Sequence, residues 1–190
     1  LRIMTRNSRM LSGLAADLDA ECSACLMGAR RLAELFERYG RDTVEAAFDG
    51  VGPCAQRLHG DCHLGNILWR DDGPHIVYLD DACTGPAIQD LWMFLSGDPD
   101  AVAEQIRVLL EGYRCFATFD PRELALIEPL RTLRMIHHSA WLAERWSDPA
   151  FPIAFPWFGT AAYWTEQVTI LKEQLPAMAS AAHRATLSSA

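Results

Sequence analysis

The chain has 190 residues, of which half are hydrophobic and 22% are charged, as is typical of a globular protein with one substantial core. Its formal net charge of −8 argues against a general affinity for nucleic acid or anionic membranes, because both favour a surplus of Lys and Arg. No apolar run reaches the roughly 20 residues of a membrane-spanning helix, and the six cysteines are scattered, so we expect a cytoplasmic protein whose partners are small molecules, metal ions or proteins.

The first predicted element is a helix from about residue 11 to residue 36, where apolar residues recur at helical spacing. Cys22 and Cys25 lie on its apolar face, so we interpret them as core residues, with a redox or zinc role as the alternative. Gly40 is expected to end this helix. Because the chain starts at Leu1 and enters a helical pattern directly, we expect a fragment or a processed product.

A β-hairpin is predicted next, from two short apolar runs at residues 67–69 and 76–79 that flank the turn residues 71–74. The remaining elements are predicted to be helices. Two of these helices should begin at Asp-Pro pairs, Asp98-Pro99 and Asp120-Pro121, and the second pair has Glu123 at a capping position. Pro129 is a candidate for a kink in the second helix.

Three prolines within residues 148–157 argue against a regular helix there, so we predict a packed loop. A last helix is predicted from about residue 160 to residue 175, and residues 179–190 read as a flexible tail. An aromatic group is expected to pack the loop onto the C-terminal helices rather than to bind a ligand. Its members are Trp141, Trp146, Phe151, Phe155, Trp157, Phe158 and Trp164.

The segment LHGDCHLGN, residues 58–66, carries the polar groups that suggest chemistry. In an extended segment, His59, Asp61 and His63 would share one face and offer a nitrogen and oxygen ligand set that zinc accepts. The alternative is phosphoryl transfer, which needs a carboxylate to accept a hydroxyl proton and oxygen ligands for magnesium. Asp61 and Asn66, five residues apart in a loop, supply such a pair.

The pattern H-G-D-x-x-x-x-N, followed by a hairpin and L-D-D, resembles the catalytic and metal-binding loops of the aminoglycoside-phosphotransferase-like and choline kinase-like branch of the protein-kinase-like fold. The segments RLHGDCHLGNILWRDDGP, LDDACTGPAIQDLWMFLSGD and WLAERWSDPAFPIAFPWF are similar to those of bacterial stress-response Ser/Thr protein kinases in that family. The resemblance implies an α+β, predominantly α-helical C-terminal lobe over residues 1–178, with a short β-hairpin carrying both loops.

By that resemblance Asp61 is the catalytic base, Asn66 a magnesium ligand, His59 a residue packed under the loop, and Asp90 a brace that accepts hydrogen bonds from the loop backbone. ATP and Mg²⁺ are the implied cofactors. Each residue also has a purely structural interpretation. Asp61 could form a turn, Asn66 could cap a turn or a short helix, His59 could be an ordinary core histidine, and Asp90 could cap the following helix.

The family has an aspartate as metal ligand where this chain has Tyr78, and a phenol is a poor ligand for magnesium. Asp80 lies two residues further on, so on a strand it would face the same way as Tyr78. We therefore predict Asp80 as the remaining metal ligand, with Asp81 as a possible additional ligand and with weak or altered use of magnesium.

A complete kinase also needs a glycine-rich loop and a strand lysine, and the first sixty residues contain neither a G-x-G-x-x-G pattern nor a run of short strands. The missing N-terminal lobe is therefore an expected partner, and the isolated chain is expected to be inactive. Three functions remain open: a Ser/Thr protein kinase lobe, a phosphotransferase acting on a small alcohol of the aminoglycoside or choline kind, and a pseudokinase or truncated remnant favoured by Tyr78.

Overall fold

The structure is a computed structural model that describes residues 30–188, with the side chains of residues 30–180. The described chain divides into two compact units. One contains the described residues up to Ala47 and those from Glu128 onward, and the other is Phe48–Ile127. Most of the predicted first helix, with Cys22 and Cys25, lies outside the described residues.

The fold is mainly helical, with four short strands that lie in the second unit. The helices follow helical residues 30–35 and a π-helical turn at Phe36–Gly40, and they are α1 (Arg41–Val51), α2 (Pro99–Arg114), α3 (Ile127–Glu144), α4 (Ala150–Ala154) and α5 (Ala161–Ser188). The strands are β1 (Gln56–Leu58), β2 (Ile67–Arg70), β3 (Gly73–Ile76) and β4 (Cys83–Gly85). Short 3₁₀ helices occupy Leu64–Asn66, Leu79–Asp81, Ala87–Asp90, Trp92–Phe94 and Pro121–Leu126. This architecture confirms the predicted α+β, predominantly helical class.

The strands form two antiparallel pairs, β1 with β4 and β2 with β3. Leu58 faces Cys83 in the first pair, and Ile67 faces Ile76 in the second. The predicted hairpin is present as β2 and β3, but β3 ends at Ile76, where the second predicted strand was expected to begin. Extended backbone cannot continue far beyond this point, because Tyr78 adopts a left-handed conformation with φ 61°.

Gly40 does not end the first described helix, contrary to the prediction. It lies in the π-helical turn, and a Cβ atom at this position would lie only 2.7 Å from Cδ2 of Phe36. The glycine therefore provides space for an aromatic ring. The helical segment ends instead after Val51, where Gly52 has φ 55° and its amide donates to the Phe48 carbonyl over 2.9 Å.

Both predicted Asp-Pro starts act as N-caps. Asp98 accepts a hydrogen bond from the Ala101 amide at 2.9 Å, and Asp120 accepts one from the Arg122 amide at 2.9 Å. The second start leads first into the 3₁₀ helix that ends at Leu126, so α3 begins six residues later than expected. Pro129 then falls in the first turn of α3, where its missing amide requires no kink.

Residues 148–157 are not wholly a loop, since they contain α4. Pro152 is the third residue of this short helix, a position at which the amide has no intrahelical partner. Helix α5 extends beyond the predicted end at residue 175, to Ser188. The flexibility of residues 179–190 stays a prediction. Among the described helices, none combines the length and the hydrophobicity that a membrane-spanning segment requires.

The predicted aromatic packing is confirmed within the first unit. The Trp146 and Phe158 ring centroids lie 4.8 Å apart, and Phe158 and Trp164 are separated by 5.1 Å. Trp141 contacts Phe151 at 5.3 Å. Phe158 and Trp164 are at most 1% exposed, so these rings form core packing around α4 and the start of α5.

Candidate active site

The polar loop of residues 59–66 begins where β1 ends and returns to β2, so two separate sheets fix its ends. The β1–β4 pair holds the entry at Leu58, which is buried. The exit is held where the Val77 amide donates to the Asn66 carbonyl over 3.0 Å, next to the β2–β3 pair. The loop is therefore positioned by backbone hydrogen bonds on both sides.

Asp90 holds the first turn of the loop. Its two carboxylate oxygens accept hydrogen bonds from the backbone amides of His59 at 2.7 Å and Gly60 at 2.9 Å. The neighbouring Gln89 side chain donates to the Gly60 carbonyl at 3.0 Å. Charge-assisted hydrogen bonds of this length are stronger than neutral ones, so the end of one 3₁₀ helix fixes the backbone immediately before Asp61.

Gly60 brings the loop into contact with the turn that carries Asp80 and Asp81. Its φ is 90°, a conformation that glycine adopts without strain. A Cβ atom here would lie 2.1 Å from the Asp81 carbonyl oxygen, so any larger residue would collide with that backbone. The absence of a side chain at position 60 lets the two segments touch.

His59 lies under the loop and is 7% exposed. Its Nε2–H group donates to the Val77 carbonyl at 2.8 Å, which leaves Nδ1 to accept from the Asp61 amide at 3.3 Å. Since both ring nitrogens are used inside the protein, His59 connects the start of the loop to the segment after β3.

Asn66 and Asp61 are brought together by one hydrogen bond. The Asn66 Nδ2 group donates to the Asp61 backbone carbonyl over 2.9 Å. Because the amide nitrogen is used in this bond, the side-chain oxygen of Asn66 is the group left to act as an acceptor or metal ligand. The backbone N–H group of Asn66 also donates to the His63 carbonyl at 2.9 Å, which closes the loop.

Tyr78 stands where the resemblance predicts an aspartate, and its side chain is 68% exposed. The backbone there is left-handed, with φ 61° and ψ 63°, and the 3₁₀ helix Leu79–Asp81 follows. The sequence-based inference that Asp80 points the same way as Tyr78 is therefore wrong, because it assumed a strand. Asp80 and Asp81 are exposed on the turn that contacts Gly60.

The polar groups in and around the loop include the side-chain amide of Asn66 and the exposed carboxylates of Asp80 and Asp81. No cluster of three or more His, Cys, Asp or Glu side chains suited to a metal occurs among the residues that the structure describes, so the zinc alternative gains no support. Magnesium typically takes one or two carboxylates together with phosphate and water oxygens. The Asn66 amide oxygen, with Asp80 or Asp81, has this chemistry.

Two cysteines, Cys62 in the loop and Cys83 at the start of β4, have the properties of structural thiols. Burial raises the pKa of the Cys62 thiol, and the Asp90 charge raises it further. The same two causes, in the same order, raise the pKa of Cys83. A thiol held in its protonated form is a poor nucleophile, so these groups are not candidates for covalent catalysis.

Glu123 supports the site in a way that the sequence did not indicate. We interpreted it as a helix-capping residue, but its side chain is buried, and Oε2 accepts a hydrogen bond from the Ile88 amide at 3.0 Å. Burial raises the pKa of this carboxyl, although the amide hydrogen bond opposes the shift. Glu123 thus holds the 3₁₀ helix that ends at Asp90. No local signal identifies this role, because the partners are 35 residues apart.

Comparison with known proteins confirms the family resemblance. A model of the phosphotransferase enzyme family matches residues 6–127. Stress response kinase A of Escherichia coli O157:H7 and of Salmonella choleraesuis (strain SC-B67), and a Salmonella typhimurium protein named serine/threonine protein kinase RdoA, are each 55% identical to this chain over 118 residues. The match covers 62% of this chain and 36% of each relative, so the chain spans about a third of the length of these curated relatives.

Proposed function

The chain belongs to the phosphotransferase enzyme family, and on that premise we propose that it forms the C-terminal lobe of an ATP-dependent kinase that phosphorylates Ser or Thr hydroxyls of proteins in a stress response. The hydrogen bond from the Asn66 side chain to the Asp61 backbone carbonyl carries the proposal, because it joins the two residues that supply a carboxylate and an amide oxygen, the groups that phosphoryl transfer needs. The name of one relative, serine/threonine protein kinase RdoA of Salmonella typhimurium, supports protein as the acceptor.

In the proposed reaction, Asp61 orients the acceptor hydroxyl and takes its proton as the oxygen attacks the γ-phosphorus of ATP, while the bond from that phosphorus to the bridging oxygen breaks and ADP leaves. The Asp61 side chain is 17% exposed, which allows contact with a substrate while limiting access by water. Asn66 and Asp80, with Asp81 as a possible third group, would hold magnesium. When bound, magnesium neutralises charge on the phosphates.

The proposal includes an N-terminal lobe, formed by protein outside this chain, that completes the ATP site. Large apolar side chains are exposed on the hairpin and beside the loop, where Trp69 is 75%, Leu64 71%, Leu79 63% and Ile76 56% exposed. Such an apolar surface is expected to be covered in a stable soluble protein. The greater length of the relatives supports a covering segment.

Tyr78 supports a second candidate function, that of a catalytically impaired pseudokinase. A phenol in place of the expected carboxylate weakens the metal site without disturbing the Asp61–Asn66 hydrogen bond. Such a protein would bind nucleotide or partners while transferring phosphate slowly.

The test compares Asp61→Asn with Asp72→Asn in the full-length protein that carries this chain. Asp72 is an exposed carboxylate on the hairpin, paired with His75 at 2.9 Å, and is a matched control. We expect Asp61→Asn to lower magnesium-dependent phosphotransfer by a factor of about 100 or more, because general-base catalysis typically contributes that much. Asp72→Asn should retain wild-type turnover. Equal activity of the two variants would reject Asp61 as the base, and a wild type that binds ATP without transfer would favour the pseudokinase.

A further inference from the structure

The imidazole ring of His63 faces the carboxylate of Asp61, with 3.6 Å between Nε2 and Oδ2. We propose that His63 is a positioning residue whose Nε2–H group orients the Asp61 carboxylate toward the acceptor hydroxyl. This inference rests on the proposed function of the loop. It assigns a role to a histidine that the sequence indicated only as a loop residue or, alternatively, as a zinc ligand.

Gly65 fixes the orientation of the His63 ring. The Gly65 amide donates to Nδ1 of the ring at 3.0 Å, so the ring proton is on Nε2, the nitrogen that faces Asp61. A Cβ atom at Gly65 would lie 2.8 Å from Cε1 of the ring. The ring therefore occupies space that only glycine leaves open, and its Nε2 lies 3.6 Å from the Asp61 carboxylate.

The backbone of His63 is also held by Asn66, the residue whose side chain is hydrogen-bonded to Asp61. Its carbonyl accepts from the Asn66 amide at 2.9 Å, and the Asn66 side chain in turn donates to the Asp61 carbonyl. His63 is thus held at both its ring and its backbone. A separation of 3.6 Å is longer than a hydrogen bond, and we expect it to shorten when substrates enclose the loop, as catalytic hydrogen bonds commonly do.

Two substitutions separate the two ring contacts. In His63→Asn the side-chain oxygen can still accept from the Gly65 amide, but position 63 no longer offers Asp61 a donor. In His63→Gln the amide nitrogen can take the place of Nε2, and the acceptor for Gly65 is lost. The matched control is His75→Asn, since His75 also pairs with an aspartate, at 2.9 Å from Asp72, but on the exposed hairpin.

The kinetic test uses the full-length protein. We expect His63→Asn to lower kcat by about 10-fold to 100-fold with an unchanged KM for ATP, because a misdirected catalytic group costs rate rather than nucleotide binding. His63→Gln should recover a large part of the loss, and His75→Asn should match the wild type. If His63 only shapes the loop through Gly65, the order reverses and His63→Asn is the more active variant, which overturns the proposal. Wild-type kcat in both His63 variants also overturns it.

A second measurement uses the 190-residue chain and needs no enzymatic activity. In ¹⁵N NMR spectra of the histidine rings, we expect His63 to carry its proton on Nε2 and this resonance to move in Asp61→Asn, whereas the His75 resonances stay in place. A His63 ring that does not respond to Asp61→Asn overturns the proposal. If the full-length wild type transfers no phosphate, the proposed function fails, and the ring spectra still decide whether His63 contacts the Asp61 carboxylate.

Discussion

Tyr78 has a left-handed backbone that no other described non-glycine residue adopts. This conformation costs a large L-residue roughly 1–2 kcal/mol, and Asp and Asn tolerate it better. We expect Tyr78→Asn to raise the free energy of unfolding of the 190-residue chain by about 0.5–1 kcal/mol in urea titrations. Tyr78→Phe, which keeps the backbone cost, is the control and should leave stability unchanged. Equal stability of all three proteins would show that the loop imposes no strain at this position.

The same position tests the metal site, because Tyr78→Asp supplies the missing carboxylate. In the full-length protein we expect Tyr78→Asp to increase magnesium-dependent turnover by about 10-fold or more, since a metal ligand stabilises the developing charge. Tyr78→Asn separates relief of strain from the added charge and should show a smaller gain. Unchanged turnover in Tyr78→Asp would indicate that Asp80 or Asp81 already acts as the metal ligand.

Asp90 gives a third prediction at a single residue. Asp90→Asn leaves one neutral acceptor oxygen for two part-buried backbone amides, those of His59 and Gly60, so one amide loses its acceptor and the other keeps only an uncharged one. We expect a loss of about 1.5–3 kcal/mol in the free energy of unfolding. The control is Asp98→Asn at the start of α2, where asparagine caps as well as aspartate and stability should change little. Equal effects of the two substitutions would contradict the bracing role.

The 3₁₀ helix that ends at Asp90 depends on a carboxyl from another element, and this dependence predicts a pH effect. Burial raises the pKa of Glu123, so the folded chain binds this proton more tightly than the unfolded chain does. The resulting stabilisation is present at pH values below the usual range of a glutamate carboxyl. This stabilisation is lost as the pH rises from the usual glutamate range to the raised pKa of Glu123 in the folded chain.

We expect Glu123→Gln to remove this part of the pH dependence while keeping an acceptor for the Ile88 amide. The free energy of unfolding, measured in urea at a series of pH values, should fall across the window in the wild type and remain flatter in the variant. Glu111→Gln, at an exposed position on α2, should behave like the wild type. A variant that follows the wild-type curve would show that Glu123 is not the titrating group.

Elements with local signals were predictable, and elements that depend on distant pairing were not. The β2–β3 hairpin was recognised because a Gly-Pro turn separates two apolar runs, and the Asp98 cap has its proline beside it. The β1–β4 pair was missed, because its strands have three residues each and are far apart in the chain. The left-handed Tyr78 was missed because no sequence rule places a tyrosine in that conformation.

At the scale of the whole molecule, the 190-residue chain is expected to transfer no phosphate above the level of its own Asp61→Asn variant. The reason is that the proposed ATP site is shared with protein outside this chain. Transfer from radiolabelled ATP, compared between the chain and the full-length protein, measures this. Robust, Asp61-dependent turnover by the chain alone would reject the two-lobe proposal.

The candidate site was predictable as a set of residues but not as a geometry. The spacing of Asp61 and Asn66 and the family pattern predicted the pair, and in the structure one hydrogen bond joins them within one loop. The support from Glu123 and the orientation of His63 depend on packing and ring direction, which residue types do not specify. The division into two units after Ala47 and after Ile127 could not be predicted either. Both boundaries lie within helices, where no linker-like sequence marks them.

The contact between Gly60 and the Asp81 carbonyl has a consequence for how such a chain can diverge. Position 60 accepts only glycine, since a side chain would unseat the neighbouring turn, whereas position 78 projects into solvent and tolerates a phenol. The requirement to fold therefore preserves glycine at position 60, whether or not the protein is selected for catalytic activity. Among related chains, we therefore expect the residue at position 78 to vary more than the glycine at position 60.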